Sequence, residues 1–241
     1  MMGGGAAEIA IDDEKTQERR ELLCDAAAVA FSECGKVLWV GGFLIGRDRV
    51  EGTSPFRYGS DATVGISTVT QIGGELVRGA LVLLRQGNTY GASALLRQLV
   101  EVQYLAWAFA ENDVGAERWL RSTPEERAQT WQPRQLRKTS RGRFPTRDYQ
   151  AHCELGGHPT PEATRLLPDH SDRIPSAFLW VELAAHCTGI WSHVTAAGKR
   201  LGWASVIGGL PSALAFSRAI QVWGHDDDIV RNALHRLVPP P

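Results

Sequence analysis

An arginine and a histidine five positions apart, Arg147 and His152, are the pair in this sequence best suited to phosphate chemistry. A guanidinium group stays charged at neutral pH and can bind two phosphate oxygens at once. An imidazole titrates near pH ~6.5, so it can exchange a proton under working conditions. Such a pair could act on a phosphate group, with His152 transferring a proton and Arg147 binding the charged oxygens.

The spacing leaves the role of each nearby histidine open. On a helix, Arg147 and His152 would point ~140° apart, which is awkward for a site within one chain but tolerable if a second protomer completes the site. His152 could instead be a helix-end side chain that hydrogen-bonds backbone carbonyls. His158 follows two glycines and precedes a proline, which predicts an extended and exposed backbone. It could close over a ligand or lie in a plain surface loop, and the spacing does not choose between the two histidines.

A stretch of seven basic residues, with no acidic residue among them, separates Glu126 from Asp148. The seven are Arg127, Arg134, Arg137, Lys138, Arg141, Arg143 and Arg147. Aromatic residues are interleaved with them or follow at once: Trp131, Phe144 and Tyr149. Guanidinium groups clamp phosphates and aromatic faces stack on bases, so the stretch is expected to hold an RNA backbone. The alternative is a solvated basic face that acidic patches such as 226–228 balance.

A polar stripe runs along the helix predicted over 89–112, within an arc of ~80°. It consists of Tyr90, Ser93, Arg97, Glu101 and Tyr104. The helix is apolar on nearly every other side, so it should be buried, and a buried charge must be paired internally. Arg97 and Glu101 are one turn apart and can pair. The stripe is therefore either a core ion pair that fixes register or the wall of a cavity that supports a site.

Glu182, His186 and His193 share one face of the helix predicted over 175–200. The two histidines are ~10.5 Å apart along the axis, too far to bind one ion at ~2 Å. Glu182 and His186 could supply two ligands, but di-iron bundles use Glu-x-x-His, whereas this spacing is Glu-x-x-x-His. We therefore expect neither a metal ion nor another cofactor.

The Arg147–His152 spacing resembles the Arg-x(4–6)-His motif of the HEPN superfamily, in which a polar residue, here Asp148, often follows the arginine. The helical segment 94–109 is similar to one in a related group of uncharacterised all-α bacterial proteins. That second resemblance also includes Tyr149, Cys153, His158 and Pro159.

The HEPN resemblance implies a metal-independent endoribonuclease of a toxin or phage-defence type. It also implies a homodimer with the motif at the interface and a cognate antitoxin or defence partner. On this interpretation Arg147, His152 and His158 are catalytic. Supporting residues would be Arg97, Glu101, Tyr104 and Tyr149, with the basic stretch binding RNA.

The composition is that of a globular chain with no overall attraction to polyanions. Of the 241 residues, 43% are hydrophobic and 22% are charged, and the net charge is −1. Attraction to RNA must therefore be local. The four cysteines are scattered, which is typical of reduced thiols in a cytoplasmic protein. No apolar run approaches the ~20 residues that span a bilayer, so no membrane association is expected.

Helical signals dominate the chain and must position these residues. Long helices are predicted over about 13–46, 61–86, 89–112, 175–200 and 211–236, shorter ones over 124–138 and 146–155, and a loop over 156–175. No alternating β-pattern persists, so we predict an all-α helical bundle of four or five long helices with short accessory helices. Residues 1–10 are predicted to be a flexible tail and residues 11–238 a single HEPN-like domain.

Two kinds of function are compatible with this sequence. The first is RNA binding with metal-independent cleavage. The alternative is a non-catalytic helical module that binds another protein, or a small ligand at the stripe formed by Arg97, Glu101 and Tyr104.

Overall fold

The computed structural model of the protein describes residues 14–43, 60–112, 114–170, 174 and 176–226. These residues form helices and turns with no β-strand, which confirms the predicted all-α class. The helices are α1 (Glu14–Phe43), α2 (Asp61–Arg85), α3 (Thr89–Glu111), α4 (Gly115–Arg121), α5 (Pro124–Glu126), α6 (Pro133–Thr139), α7 (Thr146–His152), α8 (Ser176–Arg200), α9 (Ala204–Gly209) and α10 (Pro211–Asp226). The long ones are α1, α2, α3, α8 and α10, and the short ones accompany them as predicted.

Local capping signals set several helix starts. Ser60 caps α2 by accepting a hydrogen bond from the backbone N–H of Thr63 at 3.3 Å. Thr123 and Glu126 form a capping box around Pro124, in which each side chain accepts the other residue's backbone N–H. Both starts were expected from the sequence, because an N-cap oxygen satisfies a backbone donor that the first turn leaves unpaired.

The structure departs from the predicted helix over 124–138. The chain forms a π-helical turn at Arg127–Trp131, becomes extended at Gln132, and restarts as α6 at Pro133. A proline has no N–H to donate and forces the preceding residue out of the α region, so it begins a new helix.

Two segments that were predicted to lie between helices contain helical residues. The predicted 156–175 loop holds the end of a π-helical turn, Cys153–Gly157, and a 3₁₀ helix, Pro161–Leu166. The interval between the helices predicted over 175–200 and 211–236 contains α9. The predicted tail 1–10, and the end of the last predicted helix beyond 226, lie outside the described residues.

The main core lies between α1, α2, α3, α8 and α10. Phe31 of α1 is fully buried at its centre, stacked on Trp191 of α8 and edge-on to Phe216 of α10, with both centroid distances 6.0 Å. Burying an aromatic side chain removes a large apolar surface from water. Among the described helices, none combines the length and apolarity needed to cross a bilayer.

Helices α6 and α7 dock on the outer side of α3. Tyr104 and Trp107 of α3 form a second apolar cluster with Phe144, and the Tyr104 and Phe144 ring centroids are 4.3 Å apart. The turn that follows α7 touches the α3 backbone at Gly156, where an added Cβ would lie 2.5 Å from the carbonyl carbon of Ser93. This close approach fixes the position of α7, and with it the position of His152.

Candidate functional site

A cleft of about 240 Å³ opens between α3, α7 and α8. Its walls carry Ser93, Leu96, Asp148, Ala151, His152, Leu155, Phe178, Leu179, Glu182, Ala185 and His186. Two larger grooves, of about 360 and 380 Å³, are lined by neither histidine nor cysteine. The smaller cleft is therefore the better candidate for chemistry.

Three side chains meet in this cleft: His152, Glu182 and His186. The Oε2 atom of Glu182 lies 3.5 Å from Nε2 of His152 and 3.5 Å from Nε2 of His186. The donor atoms of all three residues lie within 4.8 Å of one another. Glu182 and His186 are one turn apart on α8, which places them on one face, while His152 approaches from the end of α7.

Gln103 orients the imidazole of His186 from behind. Its Oε1 atom lies 2.6 Å from Nδ1 of His186, and both residues are buried. With the amide oxygen facing Nδ1, the ring proton lies on Nδ1 and the lone pair on Nε2 faces the cleft. Room for the amide between α3 and α8 depends on Gly189, because an added Cβ there would overlap the Gln103 side chain.

His152 is uncharged at neutral pH. Burial, and to a smaller extent the neighbouring His186, lower its pKa to about 4, although Glu182 opposes part of the shift. Asp148 brings a second carboxylate to the cleft wall. The cleft thus combines carboxylates with imidazole lone pairs, an environment that favours a cation over an anion.

Arg147 and His152 do not converge within the chain. The Arg147 side chain is 92% exposed, with its Nε atom 3.7 Å from a carboxylate oxygen of Asp148, whereas the His152 side chain is 13% exposed. This divergence agrees with the ~140° offset of two helical positions five residues apart. His158 is exposed on extended backbone and is absent from the cleft wall.

The polar stripe of α3 is attached to α7 through Tyr149. Arg97 pairs with Glu101 at 2.9 Å, the Tyr149 hydroxyl donates to Glu101 at 2.8 Å, and Arg97 donates to that hydroxyl at 3.2 Å. Burial, together with this hydrogen bond to Glu101, raises the pKa of Tyr149. Tyr104 packs on the Tyr149 ring at 6.0 Å between centroids. The stripe thus fixes α7 on α3 and, through Ser93, also lines the cleft.

Most of the basic stretch is exposed, and its last member, Arg147, lies on α7. The exposed members are Arg127, Arg134, Lys138, Arg141 and Arg147. Arg137 and Arg143 are half-buried: the guanidinium of Arg137 lies 4.2 Å from the Tyr149 ring centroid. Five basic side chains are thus exposed, although Arg127 already donates a hydrogen bond to the backbone carbonyl of Ser122.

Sequence reasoning found part of this site. Glu182 and His186 were considered as a pair of ligands and set aside because of their spacing. His152, which joins them, lies on a helix thirty residues earlier, and Gln103 gave no signal. His193 was excluded from the metal group by spacing, and it lies outside the cleft, where burial and nearby Arg143 lower its pKa to about 4.

Comparison with known proteins identified no relative. The chain matches no known protein family, no curated protein and no solved structure.

Proposed function

We propose that the protein binds RNA along its exposed basic surface and cleaves it at the cleft. The observation that carries the proposal is that α7 contributes both to the basic stretch and to the cleft wall. Arg147 lies on the outer face of this helix, and His152 lies on its inner face. A strand that contacts the basic surface would therefore have phosphates close to the mouth of the cleft.

The basic surface suits a phosphate backbone because its exposed side chains are of one sign. Arg134, Lys138, Arg141 and Arg147 can each contact a phosphate, and no acidic residue separates them in the chain. Arg137 covers Tyr149 instead, and we expect it to hold α6 against α7. The resemblance of the Arg147–His152 spacing to the HEPN motif also supports RNA as the ligand.

The cleft supports a cleavage step because it offers lone pairs at a protected position. The Nε2 atoms of His152 and His186 can each accept a proton from an attacking hydroxyl or water, or bind a cation that activates one.

RNA binding is tested by fluorescence anisotropy on a labelled single strand over a range of salt concentrations. We expect the triple variant Arg134→Gln/Arg141→Gln/Arg147→Gln to bind weakly. The slope of log affinity against log salt concentration should become shallower by about two, because each phosphate contact to a single strand contributes ~0.7 and the variant removes three contacts. Arg78→Gln is the matched control, because Arg78 is exposed on α2 and pairs with Glu75. An affinity that does not depend on salt, or an equal loss in the control, would contradict the proposal.

Cleavage is tested with the same RNA in EDTA and in added Zn²⁺ or Mn²⁺, with product ends read by mass spectrometry. We expect His152→Ala to abolish cleavage and His158→Ala to retain it, because only His152 lies in the cleft. Cleavage in EDTA with cyclic-phosphate ends would indicate the metal-free mechanism. No cleavage under any of these conditions would refute the catalytic part while leaving RNA binding intact.

A second candidate is the binding of a small ligand in the cleft. Leu155 and Phe178 give the cleft an apolar wall beside its polar groups, as small-molecule sites have. Native mass spectrometry of the purified chain tests this, since a retained ligand would add a defined mass that Leu155→Trp should remove.

A further inference from the structure

We propose that His152, Glu182 and His186 together bind one divalent transition-metal ion. The inference rests on the positions of three side chains and does not depend on RNA being the substrate. It also departs from the sequence analysis, in which we expected no metal ion.

The distances between the donor atoms fit an ion placed among them. Zinc binds imidazole nitrogen and carboxylate oxygen at ~2.0–2.2 Å in tetrahedral geometry, so neighbouring donors lie about 3.4 Å apart. The two distances from Glu182 Oε2 are 3.5 Å each, and every pair in the group lies within 4.8 Å. A small rotation of the His152 ring would complete the arrangement.

His186 is the second, independent observation that points to a ligand. Its Nε2 atom is buried and has no hydrogen-bond partner, although the residue is only 4% exposed. Buried polar atoms are nearly always satisfied, so a nitrogen that makes no hydrogen bond and has a carboxylate oxygen at 3.5 Å calls for a ligand between the two. A metal ion at this position would provide one.

The atom behind His186 supports the same conclusion. Metal-binding histidines commonly donate their other ring N–H to a carboxylate or carbonyl oxygen, which fixes the tautomer and raises ligand basicity. Gln103 Oε1 accepts from Nδ1 in this way at 2.6 Å. The remaining lone pair on Nε2 is then directed into the cleft.

The donor set also indicates which ions would bind. Two imidazole nitrogens and one carboxylate favour zinc, cobalt, nickel or iron(II), whereas magnesium and calcium prefer oxygen donors. Three protein ligands leave a fourth position open toward the cleft, as catalytic zinc sites do. A water molecule bound there would be acidified by the ion and placed on the wall that carries Asp148.

A bound cation would also offset the negative charge of the cleft carboxylates. This role of the ion rests on the proposed function, because it assumes that RNA is the substrate. Asp148 and Glu182 repel a phosphate, and a divalent cation between them would attract one. We therefore expect RNA cleavage to require the ion. Metal binding with no effect on RNA cleavage would retain the site and overturn this link.

The test is a calorimetric titration of the full chain, free of any affinity tag and stripped of metal, with Zn²⁺ in the absence of RNA. A parallel titration with Co²⁺ reads the visible absorption of the bound ion, which reports its coordination geometry. We expect one ion per chain. His152→Ala and Glu182→Gln should each weaken metal binding by at least about 100-fold. Substitution of residues that only hydrogen-bond to metal ligands already lowers metal affinity by about 10–100-fold.

His158→Ala is the matched control, because it removes an exposed histidine from the same segment without touching the cleft. Circular dichroism checks that each variant is folded, and Glu182→Gln keeps the shape of the side chain. Saturable binding that is lost in the two cleft variants and kept in the control supports the site. Folded wild-type protein that binds neither ion, or binding that is equal in all variants, overturns it. Because RNA is absent, failure of the RNA-binding proposal would not affect this result.

Discussion

At the scale of single residues, the buried histidines set the charge state of the interior. His152 and His193 both have a pKa of about 4, mainly because burial disfavours the charged imidazolium. Protonation of either one would place a charge in a region where water cannot solvate it. The folded protein therefore binds fewer protons than the unfolded chain at mildly acidic pH.

The pH dependence of stability follows from His193. Its folded-state pKa of about 4 lies below the unfolded value of ~6.5, so its contribution is complete above pH ~6.5 and is lost as the pH falls toward ~4. The loss should reach roughly 3 kcal/mol at most. Urea unfolding at several pH values should show a smaller loss of stability in His193→Leu than in the wild type.

Ile190→Val provides the comparison for this measurement, because it changes a buried, non-titrating residue one turn earlier on α8. It should lower stability equally at every pH. An unchanged pH slope in His193→Leu would show that other groups control the acid transition.

At the scale of elements, the cleft depends on how α7 is held against α3. Besides the packing of Tyr104 on the Tyr149 ring, α7 is held by the hydrogen bonds of Tyr149 to the Arg97–Glu101 pair and by the backbone approach at Gly156. The Tyr149 hydrogen bonds are polar and half-exposed. The contact at Gly156 is steric and leaves no space for a side chain at that position. The steric contact should therefore be the more sensitive to substitution.

Gly156→Ala should displace the turn after α7. Its Cβ would meet the α3 backbone at 2.5 Å, and backbone cannot rotate away as a side chain can. Overpacking of this kind costs about 1–3 kcal/mol, and it should also weaken metal binding by moving His152. Gly208→Ala is the matched control on α9, since nothing lies within 4 Å of an added Cβ there. Urea unfolding and the Zn²⁺ titration give the two readouts, and equal behaviour of the two variants would contradict this account of the packing.

At the scale of the whole molecule, five long helices share one core, so stability should concentrate there. Phe31→Ala removes the ring that contacts both Trp191 and Phe216, and we expect a loss of about 3–5 kcal/mol. Leu22→Ala, on the exposed side of the same helix, should change stability by less than about 0.5 kcal/mol. Thermal and urea unfolding measure both, and a similar loss in the two variants would place the core elsewhere.

The predictability of this protein differs between fold and site for a physical reason. Helical periodicity and caps such as Ser60 depend on neighbours within one or two turns. They can therefore be found in the sequence, and the all-α bundle was predicted from them. The Pro133 break was missed because the flanking residues are good helix formers. The cleft depends on His152 of α7 meeting Glu182 of α8, and no local pattern reports that contact. Gln103 was missed for the same reason, since it resembles any polar residue of a helix until its partner is known.

The Gln103–His186 hydrogen bond also bears on how the bundle folds. It spans α3 and α8 inside the core, so sliding α8 by one helical turn would leave two buried polar groups unpaired and separate Glu182 from His152. Correct helix register and an assembled cleft are therefore formed together. A cobalt absorption signal from the proposed site during refolding would report the moment at which α8 reaches its native register. Far-ultraviolet circular dichroism cannot detect this step because the helix content does not change.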